Sequence, residues 1–213
     1  SRLLKRMLPT LPPTPVRQIV PNISTIHSRA LVEIMRGCTR GCRFCQAGAI
    51  TRPVRERPVA EIVDSALQVL DATGFEDLAL LSLSSADHTQ IGEMVQQLLP
   101  LLKDRHATMS LPSLRLDAFS VDLADTLSGG HRSGFTFAPE AGTDALRHRI
   151  NKDIATEDLF TVAEEVFKRG WRTIKLYFMI GLPGETDEDV LAIADLVRKV
   201  RSLGNRIAGP RAE

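Results

Sequence analysis

The chain is short of cysteine. It has three in 213 residues, Cys38, Cys42 and Cys45. An odd number cannot pair off completely, and no leading apolar segment of the signal-peptide kind is present. A reducing, cytoplasmic setting is therefore expected rather than a disulfide-stapled module. No apolar run nears the ~20 residues a membrane span requires. Charge of one sign is missing as well: 27 basic against 26 acidic residues leave a net charge of +1. That balance recommends neither a nucleic-acid nor a membrane partner. A fourth cysteine is also absent, and no second C-x2-C pair follows. The four ligands of a structural zinc site are thus not visible, the nearest spare donor being His27, well before Cys38.

What is present is a dense motif, Cys38-Thr39-Arg40-Gly41-Cys42-Arg43-Phe44-Cys45. Its C-x3-C-x2-C spacing lets one loop wrap three thiolates around an iron–sulfur cube. Such cubes normally take four thiolates. Three leave one iron open to bind and activate a small molecule, which points to chemistry rather than electron storage. Gly37 and Gly41 let the backbone pass close to the sulfides, and Arg36, Arg40 and Arg43 set positive charge near an anionic group. The five histidines (His27, His88, His106, His131 and His148) are scattered. Surface or hydrogen-bonding roles are expected for them.

Along the chain, residues 1–26 carry Pro9, Pro12, Pro13, Pro15 and Pro21. They read as a linker or a packed arm without regular structure. Strand and helix then alternate. Strands are expected at Leu31–Met35, Leu78–Leu83, Ala107–Leu111, Phe135–Ala138 and Thr173–Ile180. Pro58 is expected to open the first long helix and Gly74 to stop it. Pro100 is expected to kink or end the second. A short helix capped by Ser120 is expected over 121–127. Helices follow at 143–150 and 157–169, and one from Asp187 is capped by Thr186, with Val190, Ala194, Val197 and Val200 inward. Five strand–helix units mean a parallel α/β fold, which periodicity alone leaves open between a doubly wound and a barrel-like sheet.

The cysteine motif, with Phe44 directly before its third cysteine, closely resembles the radical S-adenosylmethionine (SAM) superfamily. The segments Glu33–Gly48, Arg52–Arg57, Leu80–Ser85, Leu111–Arg115 and Phe135–Gly142 are similar to one branch of it. Members of that branch are radical SAM proteins of unassigned reaction with an N-terminal cobalamin-binding domain. The resemblance implies an open, partial (β/α) barrel in which five strand–helix units are visible and a sixth strand is missing. It implies a core domain over 27–213, cut from a longer chain whose cobalamin domain lies before Ser1. Cys38, Cys42 and Cys45 would hold a 4Fe–4S cluster whose fourth iron chelates SAM. An external electron donor would drive reductive cleavage of SAM to a 5′-deoxyadenosyl radical, acting on a substrate that the residues do not name.

For SAM contacts the resemblance implies the Phe44 backbone at the adenine edge, Ser84 and Ser85 at the ammonium, and Arg115 at the carboxylate. It implies Glu140 at the ribose or ammonium, and Ile180 and Leu182, in the turn Gly181-Leu182-Pro183-Gly184-Glu185-Thr186, against the adenine. Three alternatives stay open: an iron–sulfur electron carrier or regulator without SAM chemistry, a zinc-stapled interaction module, and a catalytically incomplete segment.

Overall fold

The computed structural model describes residues 5–23, 25–111 and 135–209. The chain divides into two compact units, Ser1–Thr39 with Ala47–Ser113, and Arg40–Gln46 with Leu114–Glu213. The short helix expected over 121–127 and the candidate Arg115 lie outside the described residues.

In chain order the first elements are β1 (Ala30–Glu33), β2 (Met35–Arg36), α1 (Gln46–Ile50), β3 (Arg55–Glu56), α2 (Val59–Thr73), β4 (Asp77–Leu81), α3 (Ile91–Asp104) and β5 (Thr108–Ser110). β1, β4 and β5 form a parallel sheet in the order β1-β4-β5, with Ala30 opposite Leu78 and Asp77 opposite Thr108. The central strand is the one whose sequence is apolar nearly throughout, and Leu78, Ala79 and Leu80 are buried. A parallel strand covered on both faces has that character. α2 lays Val59, Ile62, Ala66, Val69 and Leu70 into the core and stops at Gly74 in the left-handed conformation (φ 70°). Pro58 is its N-cap rather than its first helical residue.

The expected strand Leu31–Met35 is in fact broken at Ile34. The Ile34 N–H donates to Leu81 O (3.0 Å) and its carbonyl accepts from Arg57 N (2.9 Å). Beyond that pivot β2 leaves the parallel sheet and pairs antiparallel with β3. Pro100 does not end α3, which continues to Asp104. Pro100 is exposed, so the carbonyl four residues earlier that loses its donor can turn to water. Leu98 and Leu102 on either side stay buried and hold the helix down.

The proline-rich arm lies against this first unit. Gln18 hydrogen-bonds both the N–H and the carbonyl of Leu31 on β1 (3.1 and 2.5 Å). Arg55 donates to Leu8 O (2.8 Å), and the buried Arg57 donates to Pro12 O (2.9 Å), Glu33 O (3.0 Å) and Glu61. Arm and sheet line a cavity of about 940 Å³.

The second unit contains β6 (Phe135–Glu140), α4 (Asp144–Arg149), α5 (Thr156–Lys168), β7 (Ile174–Phe178) and α6 (Asp187–Ala208). β6 and β7 are parallel, with Phe135 opposite Ile174 and Glu140 opposite Phe178, and the register slips between Phe137 and Glu140 around Pro139. Phe135 stacks on Phe137 and meets Trp171 at a tilt of 58°, in a core closed by Leu159, Val166 and Phe167 of α5 and Leu196 and Val200 of α6. Val197, expected inward, is exposed, and Leu196 takes its place. Leu203 and Ile207 pack on the same side, which rotates the buried stripe by one residue. Among the described residues no helix is long and apolar enough to cross a membrane.

Thr186 caps α6 as expected. Its hydroxyl accepts from Asp189 N (3.3 Å), and Asp189 accepts in return from Thr186 N (2.9 Å). Asp189 also accepts from Thr143, the N-cap of α4, so the caps of α4 and α6 share one carboxylate. The Thr143 hydroxyl and the Thr186 donors hold that carboxyl below the usual range. A carboxyl depressed on folding stabilises the fold above its unfolded pKa near 3.9, and this is lost as pH falls through the folded value. Melting temperatures followed downward from pH 7 should therefore drop below about pH 4. In Asp189→Asn the curve should start lower and fall less. Equal acid slopes for both proteins would remove Asp189 from the account.

Candidate functional site

The cysteine loop starts where β2 ends. Gly37 is buried with φ 100°, and a Cβ there would stand 3.0 Å from the carbonyl oxygens of Thr51 and Pro53. Only glycine lets the chain enter the loop along that path. Cys38, Cys42 and Cys45 are each half-buried thiols. Cys38 belongs to the first unit, Cys42 and Cys45 to the second. A turn links the latter two, Cys45 N donating to Cys42 O at 3.1 Å. The loop is tied to the end of α4 by Arg43, whose N–H donates to Ile150 O (2.9 Å) and whose guanidinium donates to Arg149 O (2.5 Å). Arg36, expected to lend positive charge to the loop, has it matched instead by a bidentate Glu33 (2.7 and 2.6 Å).

At the end of β4, Ser84 and Ser85 are both fully buried. Ser84 precedes and Ser85 opens a 3-10 turn, Ser85–Asp87. The Ser85 hydroxyl is within bonding distance of Ser82 Oγ (3.0 Å) and donates to Leu80 O (3.4 Å). The Ser84 hydroxyl oxygen is buried with no hydrogen-bond partner among the described residues. A buried polar oxygen in that state costs about 1–3 kcal/mol. His88 is buried and structural. Gln90 N donates to its Nδ1 (3.1 Å), which leaves Nε2–H for Arg57 O (3.3 Å).

At the end of β6, Glu140 sits at φ 71°, a left-handed conformation rare for a residue with a Cβ. Its carbonyl accepts from Met179 N (2.8 Å). Its Oε1 accepts from Lys152 Nζ at 2.7 Å, and the two side chains are 14% and 9% exposed. The same ammonium stands 5.9 Å from the centroid of the Phe44 ring. Phe44 and Glu140 are thus brought together through Lys152. Sequence reasoning missed this lysine, because a cation just after a helix reads as a solvated charge. It also missed the buried Arg147, which donates to Ala141 O (2.8 Å), Ile154 O (2.7 Å), Thr156 (2.5 Å) and Asp144. Burial pushes the Asp144 carboxyl up, but bonds from Arg147 and Thr156 outweigh it and hold the group below the usual range.

Beyond β7 the expected glycine turn is present. Glu185 N donates to Leu182 O (3.0 Å), with Pro183 and then Gly184 (φ 76°) between them, a type II turn. Gly181 N donates to Glu185 Oε2 (2.5 Å), which closes the turn from the side. Ile180 is 73% exposed and Leu182 half-buried. Among the described residues no three His, Cys, Asp or Glu side chains converge on a single-ion site. A cluster asks for a wider cradle, in which each thiolate takes its own iron.

Comparison with known proteins adds to this geometry. Residues 32–197 match the model of the Radical SAM superfamily. An uncharacterized protein of Methanocaldococcus jannaschii is 35% identical over 201 residues, covering 93% of this chain and 44% of the relative. The ribosomal protein uS12 methylthiotransferase RimO of Desulfotalea psychrophila is 29% identical over 193 residues, covering 84% of this chain and 42% of that protein. The chain thus spans less than half the length of these relatives. Among solved structures, the radical SAM methyltransferase TsrM of Kitasatospora setae, with cobalamin and a 4Fe–4S cluster bound, superposes with a TM-score of 0.65 at 18% identity. That likeness covers 81% of this chain and 34% of TsrM, and it speaks to the fold. The match over most of the chain, with all three cysteines inside it, makes this chain a member of the radical SAM superfamily.

Proposed function

We propose that the segment is the core of a radical SAM enzyme, with its strands arranged as a partial (β/α) barrel, and that the full-length protein transfers a small group with the help of cobalamin. The supporting observation is the family match over residues 32–197 together with the C-x3-C-x2-C loop inside it. A methylthiotransferase among the relatives and a cobalamin-bound methyltransferase among the structural neighbours support group transfer. The residues present fit the cofactors. A cradle that excludes any Cβ at Gly37 leads into three half-buried thiols, and a buried, unpartnered Ser84 hydroxyl stands at a strand end.

When bound, the cluster and SAM supply one-electron cleavage of a carbon–sulfur bond, with an outside donor providing the electron. The chain's own residues ligate and orient. Cys38, Cys42 and Cys45 would hold the cluster as thiolates. The Phe44 backbone would meet the adenine edge, and the Ser84 hydroxyl would receive the SAM ammonium. Ser85, with its hydroxyl engaged, would act through its backbone. Glu140 would accept from the ribose, Arg115 would pair with the carboxylate, and Ile180 and Leu182 would form the apolar wall that keeps water from the adenine.

Anaerobically reconstituted protein should hold about four irons and show a broad visible absorbance that bleaches on reduction. With SAM and dithionite it should release 5′-deoxyadenosine. Iron uptake without SAM binding at equilibrium would favour the electron-carrier reading instead.

A further inference from the structure

We infer that Lys152 is a positioning residue for SAM, a latch that joins the cysteine loop to the end of β6. The inference rests on the function proposed above. Lys152 is 7% exposed, so its ammonium is held in place by specific partners. One is Glu140 Oε1 at 2.7 Å, and the other is the face of Phe44 at 5.9 Å, within cation–π range. These are residues from two separate chain segments, each assigned to a different part of SAM.

The surrounding backbone is built to aim this lysine. Asn151, directly before it, is left-handed (φ 54°), and Lys152 N donates to Arg147 O at 2.9 Å. Arg147 is itself buried and locked by four acceptors. Opposite, Glu140 is held at φ 71°, a strained conformation that persists only where the surroundings impose it. Two left-handed residues therefore direct one cation and one carboxylate at each other. Arg43 fastens the neighbouring loop backbone to Ile150, two residues before the lysine. The ammonium occupies Oε1 of Glu140 and keeps the carboxylate oriented, so that Oε2 serves the ribose. It also fixes the Phe44 ring and, with it, the backbone that reads the adenine edge. Lys152 touches neither cluster nor reacting atoms; it acts through Glu140 and Phe44.

The test is equilibrium SAM binding to reconstituted protein, with iron content and melting temperature measured on the same samples. Lys152→Met should keep about four irons per chain. It should bind SAM roughly 10- to 100-fold more weakly, the usual loss when a supporting partner of a ligand contact is removed. Lys152→Arg should recover most of that affinity. In a Glu140→Gln background, Lys152→Met should add little, because the two side chains act as a unit. Should Lys152→Met melt too early to titrate, Lys152→Gln replaces it with the same expected loss. Unmodified protein that carries its irons but does not bind SAM would overturn the proposed function, and this inference with it. Tight binding by unmodified protein and by the uncharged variants alike would overturn the role of Lys152 alone, as would strictly additive losses with Glu140→Gln.

Discussion

Cys42→Ala should lose essentially all of its iron, its visible absorbance and its formation of 5′-deoxyadenosine from SAM. Three thiolates are the whole protein contribution to a site-differentiated cluster, so removing one leaves two anchors for four irons. Loss of a mere supporting group around a metal costs about 10- to 100-fold, and loss of a direct ligand should exceed that range. Folding should survive, because Cys42 belongs to neither unit's buried apolar core. Far-ultraviolet circular dichroism and the melting temperature of the apo-protein should match the unmodified chain. The same loss is expected for Cys38→Ala and Cys45→Ala. Normal iron loading of Cys42→Ala would mean that the motif is not the cluster site.

Gly142→Ala should produce the largest loss of stability from a single added methyl group. Gly142 lies between Glu140 and the N-cap of α4, where the first turn of α6 passes. A Cβ there would overlap the Asp189 carbonyl oxygen and stand 2.7 Å from the Ile193 nitrogen. Both obstacles are helix backbone, which cannot swing aside as a side-chain tip can. The helix must shift, and with it Leu196 and Val200 in the core. Overpacking of this kind costs about 3 kcal/mol, or roughly a 10 °C fall in melting temperature for a chain of this size. Gly74→Ala is the control. Nothing lies within 4 Å of a Cβ at that position, so only its left-handed backbone opposes the change. A fall of under 2 °C for Gly142→Ala would show that α6 does not approach as closely as described.

Much of this was legible beforehand, for reasons specific to each segment. The run Leu78–Leu83 announced a buried parallel strand because its apolar residues do not alternate. Thr186 and Gly74 announced helix ends because capping is a transaction between residues three or four apart. The family was readable for the same reason: all three cysteines of the motif sit in one short loop, so their spacing carries the resemblance. Pro100 misled because its effect depends on which side of the helix it occupies. Its solvent-facing position follows from the burial of Leu98 and Leu102 against other elements. Val197 misled because an apolar side chain is compatible with either face, and packing against α5 in the shared core chose Leu196 instead.

The amino-acid order by itself determined the alternation of parallel strands and helices, the helix caps and the three-cysteine loop. Each of these rests on interactions within a few residues. Only the tertiary structure decided that Lys152 joins Phe44 to Glu140, that Arg57 ties the proline arm to β1, and that Gly142 must be bare to admit α6. Those outcomes depend on partners far away along the chain. A charge or a missing side chain carries no mark of its partner until packing puts the two in contact.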